Sequence, residues 1–204
     1  MRLFTAIDVP AALLEKIDVF LARLRPLAKL RWTPVENLHI TTKFIGEWPE
    51  SRMDELIAAL NVGQDGILRA GCQPAHAQER VANPLQAASL PRKDQPVAIA
   101  LRGVGWFPNA RRPHTFWAGV DGGEPLAALA RETEQAVAKL GVPVETRVYS
   151  PHLTLARVKE NAPVDDVGAA AGTPDFGAFQ ATSFVLYLSA NGKYSKLAEF
   201  PLHS

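Results

Sequence analysis

The sequence predicts an α+β fold in two lobes related by an approximate internal two-fold, with two antiparallel sheets lining a central cleft and helices outside. Three observations lead there. A strand, an amphipathic helix and a second strand follow one another at the amino terminus. The same order returns in the second half. Both second strands hold a His-x-Thr triplet in an apolar run, NLHITTKFIG around His39 and YSPHLTLAR around His152. With 204 residues and 47% hydrophobic side chains, the chain can bury a substantial core as one two-lobed domain over 1–204.

Met1 to Asp8 reads as a strand, with Leu3 and Phe4 in an apolar run and Pro10 behind it as a first-turn helix residue. Leu13, Leu14, Ile17, Phe20, Leu21, Leu24 and Leu27 recur at three and four, which describes one apolar helix face from Ala11 to about Leu30. Leu38 to Ile45 is rich in β-branched residues and closes on Gly46 and Pro49, so it reads as a strand, and a short helix follows from Glu50 to Leu60. From Asn61 to Pro96 no periodicity is sustained, which predicts a long loop or insertion. Val97 to Gly103 and Thr115 to Val120 read as strands flanking a basic, Pro-containing turn. Pro125 opens and Gly141 closes a helix carrying Leu126, Leu129, Ala130, Val137 and Leu140. The strand His152 to Val158 comes next, then a helical piece near Val164 to Ala171 and two last strands, Phe179 to Ser189 and Lys193 to Pro201.

The 22 Lys and Arg against 21 Asp and Glu leave a net charge of +1, so no global field draws in nucleic acid and an anionic ligand must be held by local groups. The single Cys72 excludes an intramolecular disulfide and reads as a small structural thiol suited to a reducing compartment. Asp8 interrupts the first apolar stretch too early for a signal-peptide core, and no run approaches the ~18 apolar residues of a membrane span. A cytoplasmic monomer with no membrane partner is expected.

Along an ideal strand alternate side chains share a face. That rule groups His39, Thr41 and Lys43 against Ile40, Thr42 and Phe44, and His152 and Thr154 against Leu153, Leu155 and Arg157. Each strand thus pairs an imidazole with a hydroxyl. Two such imidazoles across a cleft suit phosphodiester chemistry, because a neutral one takes a proton from an attacking water while a protonated one donates to the leaving oxygen. The threonine hydroxyls would hydrogen-bond the non-bridging oxygens. A lone half-buried strand histidine is usually structural, whereas two in matching contexts, each after a helix, favour function. His76, His114 and His203 lack that setting and read as surface residues. Neither motif holds a second histidine or a carboxylate at ligand spacing, so no metal is expected.

On these residues the chain resembles the two-histidine (2H) phosphoesterase superfamily, marked by paired His-x-Thr/Ser-x motifs, and within it the RNA 2′,3′-cyclic phosphodiesterases, also called 2′-5′ RNA ligases. MRLFTAID, NLHITTKFIG, GWFPNARRPHTFWAGV, SPHLTLARV and KYSKLAEFPL carry the likeness across nearly the whole chain, in the family's order. The resemblance implies a hydrolase that opens 2′,3′-cyclic phosphates of RNA or nucleotides to 2′-phosphomonoesters with no metal or other cofactor, and 2′-5′ ligation as the reverse. It implies His39 as proton donor, His152 as proton acceptor, and Thr41, Thr154 and Arg157 as phosphate ligands.

Arg157 stands on the wrong parity for that role, so either a bulge or the strand end redirects it or its role is structural. Lys43 is a candidate RNA contact, or a solvated lysine. Tyr149, Phe44, Trp117 and Tyr194 are candidates to stack a base, with core packing as the competing role. Arg111 and Arg112 lie in a turn that meets either an RNA backbone or solvent. Thr42 replaces the apolar residue common in the family's first motif, but it faces away from the cleft. The 61–96 segment exceeds the family pattern and bears on substrate size. Two further functions fit the residues: a cyclic phosphodiesterase for a small ADP-ribose-type cyclic phosphate, and a non-catalytic nucleotide-binding module.

Overall fold

The computed structural model describes residues 1–65, 96–159 and 162–202. Strand β1 (Arg2–Asp8) leads into helix α1 (Ala11–Leu24), which buries Leu13, Ile17, Phe20, Leu21 and Leu24 on the face the spacing predicts. The helix ends short of Leu30 because Pro26 cannot continue it, and the chain tightens into a 3-10 turn over Arg25–Leu27. A two-residue strand, β2 (Arg31–Trp32), follows, too short to leave a periodic signal. Then come β3 (His39–Glu47) and helix α2 (Met53–Asp65), which runs past Leu60 into the expected loop. The rest of that loop, with Cys72 and His76, lies outside the described residues, as does His203.

In the second half β4 (Val97–Phe107), β5 (Thr115–Asp121), helix α3 (Gly123–Ala138), β6 (His152–Arg157) and helix α4 (Asp165–Ala171) keep the expected order. The expected strand Phe179–Ser189 is instead two, β7 (Asp175–Ala181) and β8 (Ser183–Ala190), before β9 (Lys193–Pro201). Only Thr182 separates them, and no Gly or Pro marks the break. Yet β7 pairs with β4 whereas β8 pairs with β1, so the chain changes lobes at that residue.

The described strands form one antiparallel path, β7-β4-β5-β6-β3-β1-β8-β9, with β2 on β6. Counted outward from its centre, β3, β1, β8 and β9 match β6, β5, β4 and β7. The halves meet at one registered pair, Ile40 opposite Leu153, the middle residues of the two His-x-Thr triplets. The two expected sheets are therefore four-stranded halves joined edge to edge. Helices pack on one face, where Ile7, Ile17, Ile40, Leu101, Phe116, Leu153 and Val137 share a core. Each long helix also reaches the other half: Phe20 of α1 meets Phe176 of β7 edge-on at 5.2 Å, and Glu134 of α3 meets Lys43 of β3. No described helix is long and apolar enough to cross a membrane.

Candidate active site

The free face of the sheet is organised by two β-bulges at equivalent places. In β1 and β3, Asp8 lies opposite His39, Ala6 opposite Thr41 and Phe4 opposite Phe44, while a register shift leaves Thr42 unmatched. An extra residue reverses the alternation beyond it. Phe44 therefore joins the face of His39 and Thr41, its ring 6.1 Å from Phe4, and is 62% exposed. Lys43 turns to the core face instead. It is 7% exposed, with Nζ 2.7 Å from Glu134 Oε1 and a further hydrogen bond donated to Pro143 O at 3.2 Å. Its expected place beside His39 is thus overturned, and it binds the two lobes together.

The second half repeats the device. Gly119 lies opposite His152, Trp117 opposite Thr154 and Thr115 opposite Arg157, with Leu155 unmatched between them. Leu155 and Ala156 are both buried, and Arg157 emerges exposed on the face of His152 and Thr154. Ideal alternation aims it away; the bulge brings it back. In both triplets the unmatched residue directly follows the threonine.

The imidazoles are seated alike. His39 Nδ1 is 2.7 Å from Asn37 O and His152 Nδ1 is 2.8 Å from Ser150 O, in each case the carbonyl two residues earlier. A carbonyl only accepts, so Nδ1 carries the hydrogen in both rings and Nε2 is left to give or take a proton. Their surroundings differ. His39 packs on Phe4 at 4.7 Å and meets Tyr194 edge-on at 5.1 Å. Burial pushes its pKa below 6.5, against the upward pull of the Asn37 carbonyl and the Asp8 carboxylate, and the charge of His152 adds to the lowering. His152 meets Phe107 edge-on at 4.9 Å.

Of the neighbouring residues, Asp8, Tyr187 and Lys196 are the ones the sequence does not single out as site residues. Asp8 accepts hydrogen bonds from Tyr187 Oη and Lys196 Nζ, a cluster beside His39 assembled from β1, β8 and β9. Its one sequence signal is a carboxylate directly after the apolar pair Ala6 and Ile7 at the end of β1. Tyr149, a candidate for stacking on a ligand, instead donates its hydroxyl to Thr41 O at 3.0 Å and holds the first triplet from the second lobe. Trp117 lies 5.0 Å from Phe107 and over Gly105, where a Cβ would come within 2.3 Å of the indole. Packing is its role, whereas Phe44 and Tyr194 keep exposed rings. Arg111 and Arg112 are exposed in a turn whose backbone N–H groups both donate to Asn109 Oδ1.

Residues 13–193 match the model of the 2′-5′ RNA ligase superfamily. The chain is 30% identical over 192 residues to the RNA 2′,3′-cyclic phosphodiesterase of Methanocaldococcus jannaschii, covering 93% of this chain and 91% of that protein. It is 31% identical over 187 residues to the enzyme of the same name from Archaeoglobus fulgidus, covering 91% and 89%. Among solved structures it resembles TT0787 of Thermus thermophilus with a TM-score of 0.73 and 25% identity, over 99% of this chain and 98% of that one. It also shares the fold of E. coli LigT complexed with 3′-AMP, at a TM-score of 0.68 and 23% identity over 100% and 98%. By its match to the family model over residues 13–193 and to these relatives along the sequence, this chain belongs to the 2′-5′ RNA ligase superfamily.

Proposed function

We propose that this protein, as a single two-lobed domain, hydrolyses 2′,3′-cyclic phosphate ends of RNA or nucleotides to 2′-phosphomonoesters, with 2′-5′ ligation as the reverse reaction. The matched seating of His39 and His152 carries the reading: both Nδ1 atoms are committed to carbonyls, on the two strands that meet at Ile40 and Leu153. The names of the archaeal relatives support the substrate class.

The cyclic phosphate would lie between the Thr41 and Thr154 hydroxyls, with Arg157 supplying positive charge. Nε2 of neutral His152 takes a proton from water as its oxygen attacks phosphorus. The P–O3′ bond breaks, and the departing O3′ receives the proton held on Nε2 of His39. A proton then returns from His152 to His39 through solvent, and the cycle closes. Burial makes protonated His39 a stronger acid than a free imidazolium, and the negative charge of the bound phosphate favours its protonated form. Ligation runs the same transfers backwards.

The test is incubation with a 2′,3′-cyclic-phosphate oligonucleotide and a cyclic mononucleotide in the presence of a chelator. The expected product is the 2′-phosphate, with His39→Ala and His152→Ala each lowering kcat by roughly 100- to 10,000-fold. Undiminished turnover in either variant, or a 3′-phosphate product, would overturn the reading. We also place the protein in the cytoplasm as a monomer, a state that light scattering of the purified chain checks directly.

A further inference from the structure

We propose that Arg31 binds the internucleotide phosphate next to the cyclic end, side by side with Arg157 across two paired strands, so that the site grips an RNA strand in preference to a mononucleotide. This rests on the function proposed above. The inference comes from β2, the strand that leaves no mark in the sequence pattern. Arg31 is the registered partner of Arg157, and Trp32 that of Ala156. Thr33 N donates to the carbonyl of Leu155 at 2.9 Å, so β2 is fastened to the very bulge that turns Arg157 toward the site. Trp32 points the other way: its ring meets Phe116 of the core edge-on at 6.2 Å and its Nε1 donates to Ala28 O at 3.3 Å. By alternation Arg31 shares the face of Arg157, His152 and Thr154.

Two guanidinium groups placed directly opposite one another across strands destabilise a sheet unless an anion offsets them. Arg25, Arg52, Arg102, Arg131 and Arg147 each meet a carboxylate. Arg31 and Arg157 are both exposed and, like Arg2, Arg23, Arg111 and Arg112, form no ion pair among the described residues; of these six, only Arg31 and Arg157 stand opposite each other across paired strands. Arg157 lies three residues beyond Thr154, at most about 10 Å along β6. A planar, always-charged fork suits a phosphate at that place.

The experiment compares KM for a dinucleotide ending in a 2′,3′-cyclic phosphate with KM for the cyclic mononucleotide, in wild type, Arg31→Ala and Arg31→Lys, with thermal melts as a check on folding. Arg31→Ala is expected to raise the dinucleotide-to-mononucleotide KM ratio about tenfold and to reduce the salt slope of dinucleotide binding by about 1, and Arg31→Lys to restore part of both. An unchanged ratio, whether both substrates weaken equally or neither does, would overturn the assignment of Arg31. Turnover of neither substrate by wild type would instead overturn the phosphodiesterase reading.

Discussion

In the first half of the molecule the strand partner of the motif histidine is Asp8, and the residue five places beyond that histidine on the same face is Phe44; in the second half the matching positions hold Gly119 and Arg157. The scaffold is repeated down to the bulge, but the chemistry around it is not. His39 sits among Phe4, Tyr187 and Tyr194 with a carboxylate beside it. His152 has one aromatic neighbour among the described residues, Phe107, and a cation farther along its own strand. Two copies of one residue type thus sit in unlike environments, the condition under which their proton affinities separate. The same contrast suits a substrate with unlike ends: exposed rings of Phe44 and Tyr194 for a base, guanidinium groups for phosphate.

The largest effect expected from disturbing this arrangement outside the histidines is on folding. Lys43→Ala leaves Glu134 facing the lobe junction without its cation, and should lower the unfolding free energy by about 3 kcal/mol in denaturant titrations, whereas Lys43→Met, which keeps the packed stem, should cost less. Substrate binding comes next. Phe44→Ala should raise KM for a cyclic nucleotide about tenfold with little change in kcat, while Phe44→Tyr keeps wild-type KM, because one base–ring stack is worth roughly 1–3 kcal/mol. A fall in kcat alone would show that Phe44 serves His39 and not the base.

The smallest effect is on pH dependence. His39 has a folded-state pKa below its reference of 6.5, so as pH falls through that value the unfolded chain binds the proton first. Its contribution to stability is therefore complete above about pH 6.5 and is lost as pH drops toward the lowered folded value. Denaturation at about pH 7.5 and about pH 5.5 should show wild type losing more stability than His39→Gln. Asp8→Asn removes an upward pull on the same pKa and should widen that loss.

How much of this is legible in the sequence can be read from particular residues. The His-x-Thr triplets are visible because each spans three residues of regular strand, within which alternation holds. Two residues later it fails in both halves, since a bulge depends on how the partner strand registers and no turn residue announces it at Thr42 or Leu155. Ideal alternation consequently sets Lys43 in the cleft and Arg157 outside it, the reverse of their positions. Tyr149 and Asp8 take their roles from partners more than a hundred residues away in sequence, Thr41 for the one and Tyr187 and Lys196 for the other. Such pairings are invisible to any local pattern. The change of lobe at Thr182 is hidden for a different reason: Ala181, Thr182 and Ser183 all suit a strand, and no Gly or Pro marks the break.

The division of labour between the two imidazoles is most directly tested with a cyclic nucleotide in which sulfur replaces the 3′ oxygen, a leaving group that needs no proton. His39→Ala should cleave this analogue at close to the wild-type rate while remaining defective on the oxygen substrate, and His152→Ala should be defective on both. Equal impairment of His39→Ala on the two substrates would contradict its role as the acid.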